Sequence, residues 1–125
     1  MTIQEAITII DQRKPSAYST DDKVRWLSTL DGRVYEEIIK QHDNYEEDGD
    51  NPFSGYTASD LTEEMLIAYP YEDIYIDWLT AQIDLANADI GRYNNAIIAL
   101  NTQYTDYSNW YRRNHMPKQT IGWKL

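Results

Sequence analysis

The sequence predicts an all-α fold: a small helical bundle built on a long C-terminal helix, with a long acidic loop and an extended C-terminal tail. Three observations carry that expectation. Apolar residues recur three and four apart over several stretches, the spacing that puts them on one face of a helix. Thr2 with Glu5, and Asp60 with Glu63, stand at the separation of a helix-starting capping box. No proline interrupts residues 71–115.

The elements follow in order. After Thr2 and Glu5, Ile3, Ile7 and Ile10 fall at helical intervals, and Pro15 stops this first helix near Arg13. Ser19 or Thr20 caps a second helix, with Asp21 and Asp22 at its positive N-terminal end. Its apolar face runs through Val24, Leu27, Leu30 or Asp31, Val34 and Ile38, widened by Trp26 and Tyr35. Gly32 weakens that helix by about 1 kcal/mol relative to alanine, but the periodicity resumes in register. From His42 to Ser59 the pattern vanishes, so residues 43–59 read as a long surface loop, with a short extended hairpin around Pro52 and Phe53. Asp60 then opens a short helix through Leu66 that Pro70 ends.

The last element is the most regular. Ile76, Leu79, Ile83, Ala86, Ile90, Tyr93, Ile97, Leu100, Tyr104, Tyr107 and Tyr111 alternate spacings of three and four without a slip. An unbroken helix over 71–113 would be about 65 Å long. A second stripe (Tyr71, Ile74, Tyr75, Trp78, Leu85) makes the first half apolar on two sides, as in a helix packed centrally. The weak point is NADIG at 87–91, whose residues are poor helix formers. One long helix, kinked there, is the favoured reading over a hairpin.

A chain of 125 residues fits one domain with a real core. Residues 1–115 are assigned to that domain and 116–125 to an extended basic arm. Eleven Tyr and four Trp argue against an acidic disordered chain. The absence of Cys excludes a disulfide framework and thiol catalysis. The N-terminal residues lack the basic and apolar regions of a signal peptide, and no apolar run reaches the roughly 20 residues that span a bilayer. A soluble protein is expected.

Charge is unevenly placed. The net charge is −10, yet residues 41–91 hold 13 acids and no Lys or Arg, whereas 112–125 hold four bases and no acid. Such asymmetry bears on partners rather than on fold. No catalytic pattern accompanies it. His42 and His115, the only histidines, lack the carboxylate three residues away that a bundle di-metal site uses, and they read as helix-end residues. DNYEEDGDNPFS lacks the alternating acids and terminal Glu of an EF-hand. There is no glycine-rich phosphate loop and no GxSxG elbow. We therefore expect no enzyme, no cofactor and no metal centre.

Binding remains. Thirteen uncompensated acids should repel DNA, because affinity for phosphates rests on Lys and Arg. Two readings satisfy that constraint: a DNA-mimic inhibitor of a DNA-binding enzyme, and a wall along which DNA moves without sticking. The tail adds Met116, Ile121, Trp123 and Leu125 among the bases Arg112, Arg113, Lys118 and Lys124, apolar anchors on a basic arm of the kind an interface uses. A basic arm on an acidic body also suits head-to-tail contact between copies.

RWLSTLDGRVYEEIIKQH (25–42) and residues 70–118, above all their RYNN, WYRR and HMPK segments, resemble small virion proteins of tailed phages and prophages. The likeness is to the head–tail connector, or head-completion adaptor, group of phages of low-GC Gram-positive bacteria. The resemblance implies a helical structural protein of the virion, assembled in the bacterial cytoplasm as a homo-oligomeric ring, typically a dodecamer, beneath the portal protein. Such a ring extends the DNA channel, lets DNA pass without specific binding, and offers a platform to the next stopper or tail-completion protein; no membrane is involved. Adaptors of this kind engage the portal through a C-terminal segment. That assigns the partner interface to Arg112, Arg113, Met116, Lys118, Ile121, Trp123 and Leu125. Glu46, Glu47, Asp48 and Asp50 then belong to the channel or another acidic face. The loop over 43–56 is longer and more acidic than a minimal connector needs.

Overall fold

A computed structural model describes residues 1–42 and 53–115. It contains α1 (Ile3–Arg13), α2 (Thr20–Glu37), α3 (Asp73–Ala86) and α4 (Ile90–Asn114). Among the described residues no strand forms, and one isolated bridge joins Thr2 to Glu64. The all-α bundle with a long C-terminal helix is therefore the fold.

The first two helices start where their caps predict. The Thr2 hydroxyl accepts from the Glu5 N–H while the Glu5 carboxylate accepts from the Thr2 N–H; Ser19 and Asp22 do the same for α2. Helix α1 buries Ile3, Ala6, Ile7 and Ile10. Helix α2 continues through Gly32 and buries Val24, Leu27, both Leu30 and Asp31, Val34 and Tyr35. It ends at Glu37, and a single 3₁₀ turn, Ile39–Gln41, carries the chain to His42.

Helix α3 lies at the centre, against α1, α2 and α4. That is the position its two apolar stripes call for: Ile74, Tyr75, Ile76, Leu79 and Ile83 are all buried. Helix α4 folds back along α3 as an antiparallel hairpin. The Tyr71 ring, just before α3, lies 5.6 Å from Tyr107 and 5.5 Å from Trp110 near the end of α4. The expected single helix over 71–113 is thus corrected to two. The reason lies in the NADIG segment. Ala88 takes a left-handed conformation at φ 61°, and the Asp89 side chain caps α4 by accepting from the Arg92 N–H. Reversal also lets the stripes of both halves cover each other, which a 65 Å rod would leave in water; each core side chain so covered is worth about 1.5–3 kcal/mol. The cover ends before the turn, so Leu85 and Ile90, placed on the stripes by periodicity, are exposed.

Residues 53–72 correct a second expectation. The helix predicted from Asp60 to Leu66 is absent; instead a 3₁₀ turn, Ala58–Asp60, is capped by Thr57, with Asp60 closing the capping box. The following backbone is engaged elsewhere. The Ile3 and Gln4 N–H groups donate to the Glu63 and Leu61 carbonyls at 3.2 and 2.9 Å, and the Met65 N–H donates to the Met1 carbonyl at 3.0 Å. Those carbonyls satisfy the first free N–H groups of α1, and a local helix would have used them internally. Met65 and Ile67 plug the core behind this crossing.

Asp31 locks the same segment to the bundle. Its side chain is fully buried, and it accepts from the Tyr56 hydroxyl (2.6 Å), the Tyr75 hydroxyl (2.7 Å) and the Leu66 N–H (3.0 Å). The Tyr75 hydroxyl in turn accepts from the Ile67 N–H at 2.7 Å. Gly55, at φ 101°, sits where a Cβ would come 2.8 Å from the Ser28 hydroxyl, so only glycine lets the chain approach α2 here. The second half of the predicted 43–59 loop is consequently a packed strap.

Candidate functional site

The C-terminal end of α4 is where the described residues join charge, exposure and a packed aromatic support. Trp110 and Tyr107 stack at 6.0 Å, and both touch Tyr71. On the next turn Tyr111 stacks flat against His115, with ring centroids 3.8 Å apart, and the His42 ring meets Tyr111 edge-on at 5.0 Å. Each histidine uses Nδ1 locally, His42 to the Ile38 carbonyl and His115 to the Tyr111 carbonyl at 3.0 Å. His115 caps the end of α4, as expected, whereas His42 caps the 3₁₀ turn Ile39–Gln41 and does not end α2, which stops at Glu37. Burial of Tyr107 and Tyr111 pushes their phenols up, so these rings stay neutral at working pH.

This aromatic floor fixes the last turn of α4, on which Arg112 and Arg113 stand exposed. Neither forms an ion pair with a described residue, and both lie in the last turn, where cations meet the negative end of the helix dipole. The remaining residues assigned to the partner interface (Met116, Lys118, Ile121, Trp123 and Leu125) lie outside the described residues. So do Glu46, Glu47, Asp48 and Asp50 of the assigned acidic face.

One juxtaposition was hidden in the sequence. His42 precedes residues 43–52 and His115 precedes residues 116–125, and their rings are 6.4 Å apart. The two residues that precede the acidic segment and the basic arm in the chain therefore meet at one corner of the bundle. The sequence marked each histidine as a helix end, but nothing in its spacing links two positions on different helices.

The remaining acids of 41–91 are largely engaged. Asp84 is buried and pairs with Lys14 at 2.9 Å. Glu64 and Glu72 hold the N-terminal ammonium; burial lowers its pKa, but these two carboxylates outweigh that and raise it above its ordinary value. Asp89 pairs with Arg92 at 3.4 Å, and Asp60 closes its capping box. Burial, the largest influence, raises the Asp77 carboxyl. On the opposite flank, Arg33 lies 5.8 Å above the Tyr104 ring, whose hydroxyl donates to Glu37. Burial and that carboxylate push the Tyr104 phenol up to about 12.

Among the described residues no group of three or more His, Asp or Glu is placed to hold a metal ion. An open groove of about 480 Å³ runs past Met1, Gln4, Thr8 and Ile9. Its two carboxylates, Glu5 and Glu72, are already committed to the α1 cap and the N-terminal ammonium. No described helix is long and apolar enough to cross a membrane. No family model, curated protein or solved structure matches the chain.

Proposed function

We propose that this chain is a structural virion protein, a ring-forming head–tail connector that docks beneath a portal protein and extends the DNA channel. The observation that carries the reading is the end of α4. Two exposed arginines, neither ion-paired with a described residue, stand in the last turn of α4 beside its packed aromatic cluster, just before the basic arm that carries Trp123 in an otherwise acidic chain. Such an arm supplies apolar anchors with charged flanks, the composition of an interface hot spot. The resemblance of residues 25–42 and 70–118 to phage adaptors supplies the identity of the partner, and a stopper or tail-completion protein would follow on the ring's other face. A net charge of −10 keeps passing DNA from adhering.

A DNA mimic needs rows of free surface carboxylates. The engagement of Asp60, Glu64, Glu72, Asp84 and Asp89 in caps and ion pairs weighs against that alternative.

The test is portal binding by chain variants. Deleting 117–125, or combining Arg112→Glu with Arg113→Glu, should weaken binding to the portal at least tenfold while helix content is unchanged. Unaltered binding by both variants would remove the arm from the interface.

A further inference from the structure

We propose that the uncharged outer face of the distal α3–α4 hairpin is the surface on which a second copy of this chain docks. The inference deepens the ring reading above by naming one of its self-contacts.

Charge is the first argument. Residues 93–105 contain no Asp, Glu, Lys, Arg or His, in a chain carrying 32 Asp, Glu, Lys and Arg residues. The only charges at exposed or half-exposed positions between Leu85 and Thr105 are Asp89 and Arg92, and they neutralise each other. A helix face that meets only water carries charged or polar residues; here the polar residues are all uncharged and an exposed isoleucine stands among them.

Exposure is the second. Of the four large apolar side chains that are exposed among the described residues, three lie in this half of the hairpin: Leu85 at 44%, Ile90 at 54% and Ile98 at 66%. Helix α4 packs chiefly on α3 and meets α2 through Tyr104, while Ile98 and its neighbours Asn94, Asn95, Asn101 and Thr102 are exposed.

The occupant follows from the same two facts. Two bodies of charge −10 repel over most approaches, and they meet at least cost where the facing surface is neutral. Around Ile98 stand Asn94, Asn95, Asn101 and Thr102, all exposed. Amides and hydroxyls both donate and accept, so such a patch can satisfy the polar groups of an identical chain without a charge of the opposite sign. Ile98 becomes the buried anchor.

The test uses the intact chain and exploits its lack of cysteine. Sedimentation velocity over a concentration series compares wild type with Ile98→Lys and with Thr8→Lys, an identical charge change on the exposed face of α1. The wild type should self-associate, Ile98→Lys should weaken association roughly tenfold or more, and Thr8→Lys should match wild type. Circular dichroism checks that helix content is retained. A photo-crosslinker on Ile98→Cys should yield adducts between chains. A wild type that stays monomeric throughout, equal association by all three proteins, or adducts only within one chain would each overturn the assignment. The ring reading fails separately, by absence of the chain from phage particles.

Discussion

Replacing Asp31 by alanine would strip an acceptor from three donors at once. Asp31 is fully buried, and its two oxygens hold Tyr56, Tyr75 and the Leu66 N–H at 2.6–3.0 Å. A buried donor left without a partner costs about 1–3 kcal/mol. Tyr75 is inaccessible and takes the full penalty, whereas Tyr56 and Leu66 are half-buried and recover part of theirs from water. Relief of the carboxylate's own desolvation offsets some of the loss. The net expectation is a destabilisation of about 2–5 kcal/mol, a large share of the roughly 5–15 kcal/mol that holds a domain together. Urea unfolding followed by tryptophan fluorescence measures it. Native-state hydrogen exchange should show early loss of protection at Leu66 and Ile67, because the segment over 53–72 that Asp31 holds detaches first. A change below about 1 kcal/mol, with those amides still protected, would refute the hub. The pH dependence has a defined sign. Burial, opposed by the three hydrogen bonds, holds the Asp31 carboxyl above its ordinary 3.8. The protonated form therefore favours the fold. Its contribution is full below pH 3.8 and is lost as pH rises through the folded-state value. Asp31→Asn should remove that dependence.

Two further substitutions separate packing from pairing. Leu100 is 5% exposed while Ile97 is only half-buried, so Leu100→Ala should cost about 2–4 kcal/mol and Ile97→Ala about 1 kcal/mol by chemical denaturation. Equal losses would contradict the placement of α4 on α3. Lys14→Met leaves Asp84 buried without its cation; because Lys14 is partly exposed, the expected loss is about 1–3 kcal/mol, and Lys14→Met combined with Asp84→Leu should restore most of it.

Much of the architecture was legible because it is local. Caps at Thr2 and Ser19, the stop before Pro15 and the doubly apolar first half of the last element each follow from neighbouring residues. Misses came where distant groups decided. Whether NADIG kinks or reverses depends on how much apolar surface the two halves cover when apposed, which no single window contains. The segment after Asp60 has a plausible helix start, yet its carbonyls are claimed by the first turn of α1, some 60 residues earlier. Asp31 looked interchangeable with Leu30 on a helix face, and its two tyrosine partners lie 25 and 44 residues away. At the candidate interface, the sequence singled out Arg112 and Arg113, and the fold leaves both exposed in the last turn of α4. The meeting of His42 and His115 belongs to the tertiary fold alone.

The most direct test of the connector account is quantitative mass spectrometry of purified phage particles, with this chain counted against the major capsid protein. The account predicts a fixed number equal to one ring per particle, a dozen copies if the ring is a dodecamer. Expression during infection with none of the chain in the particles would contradict it.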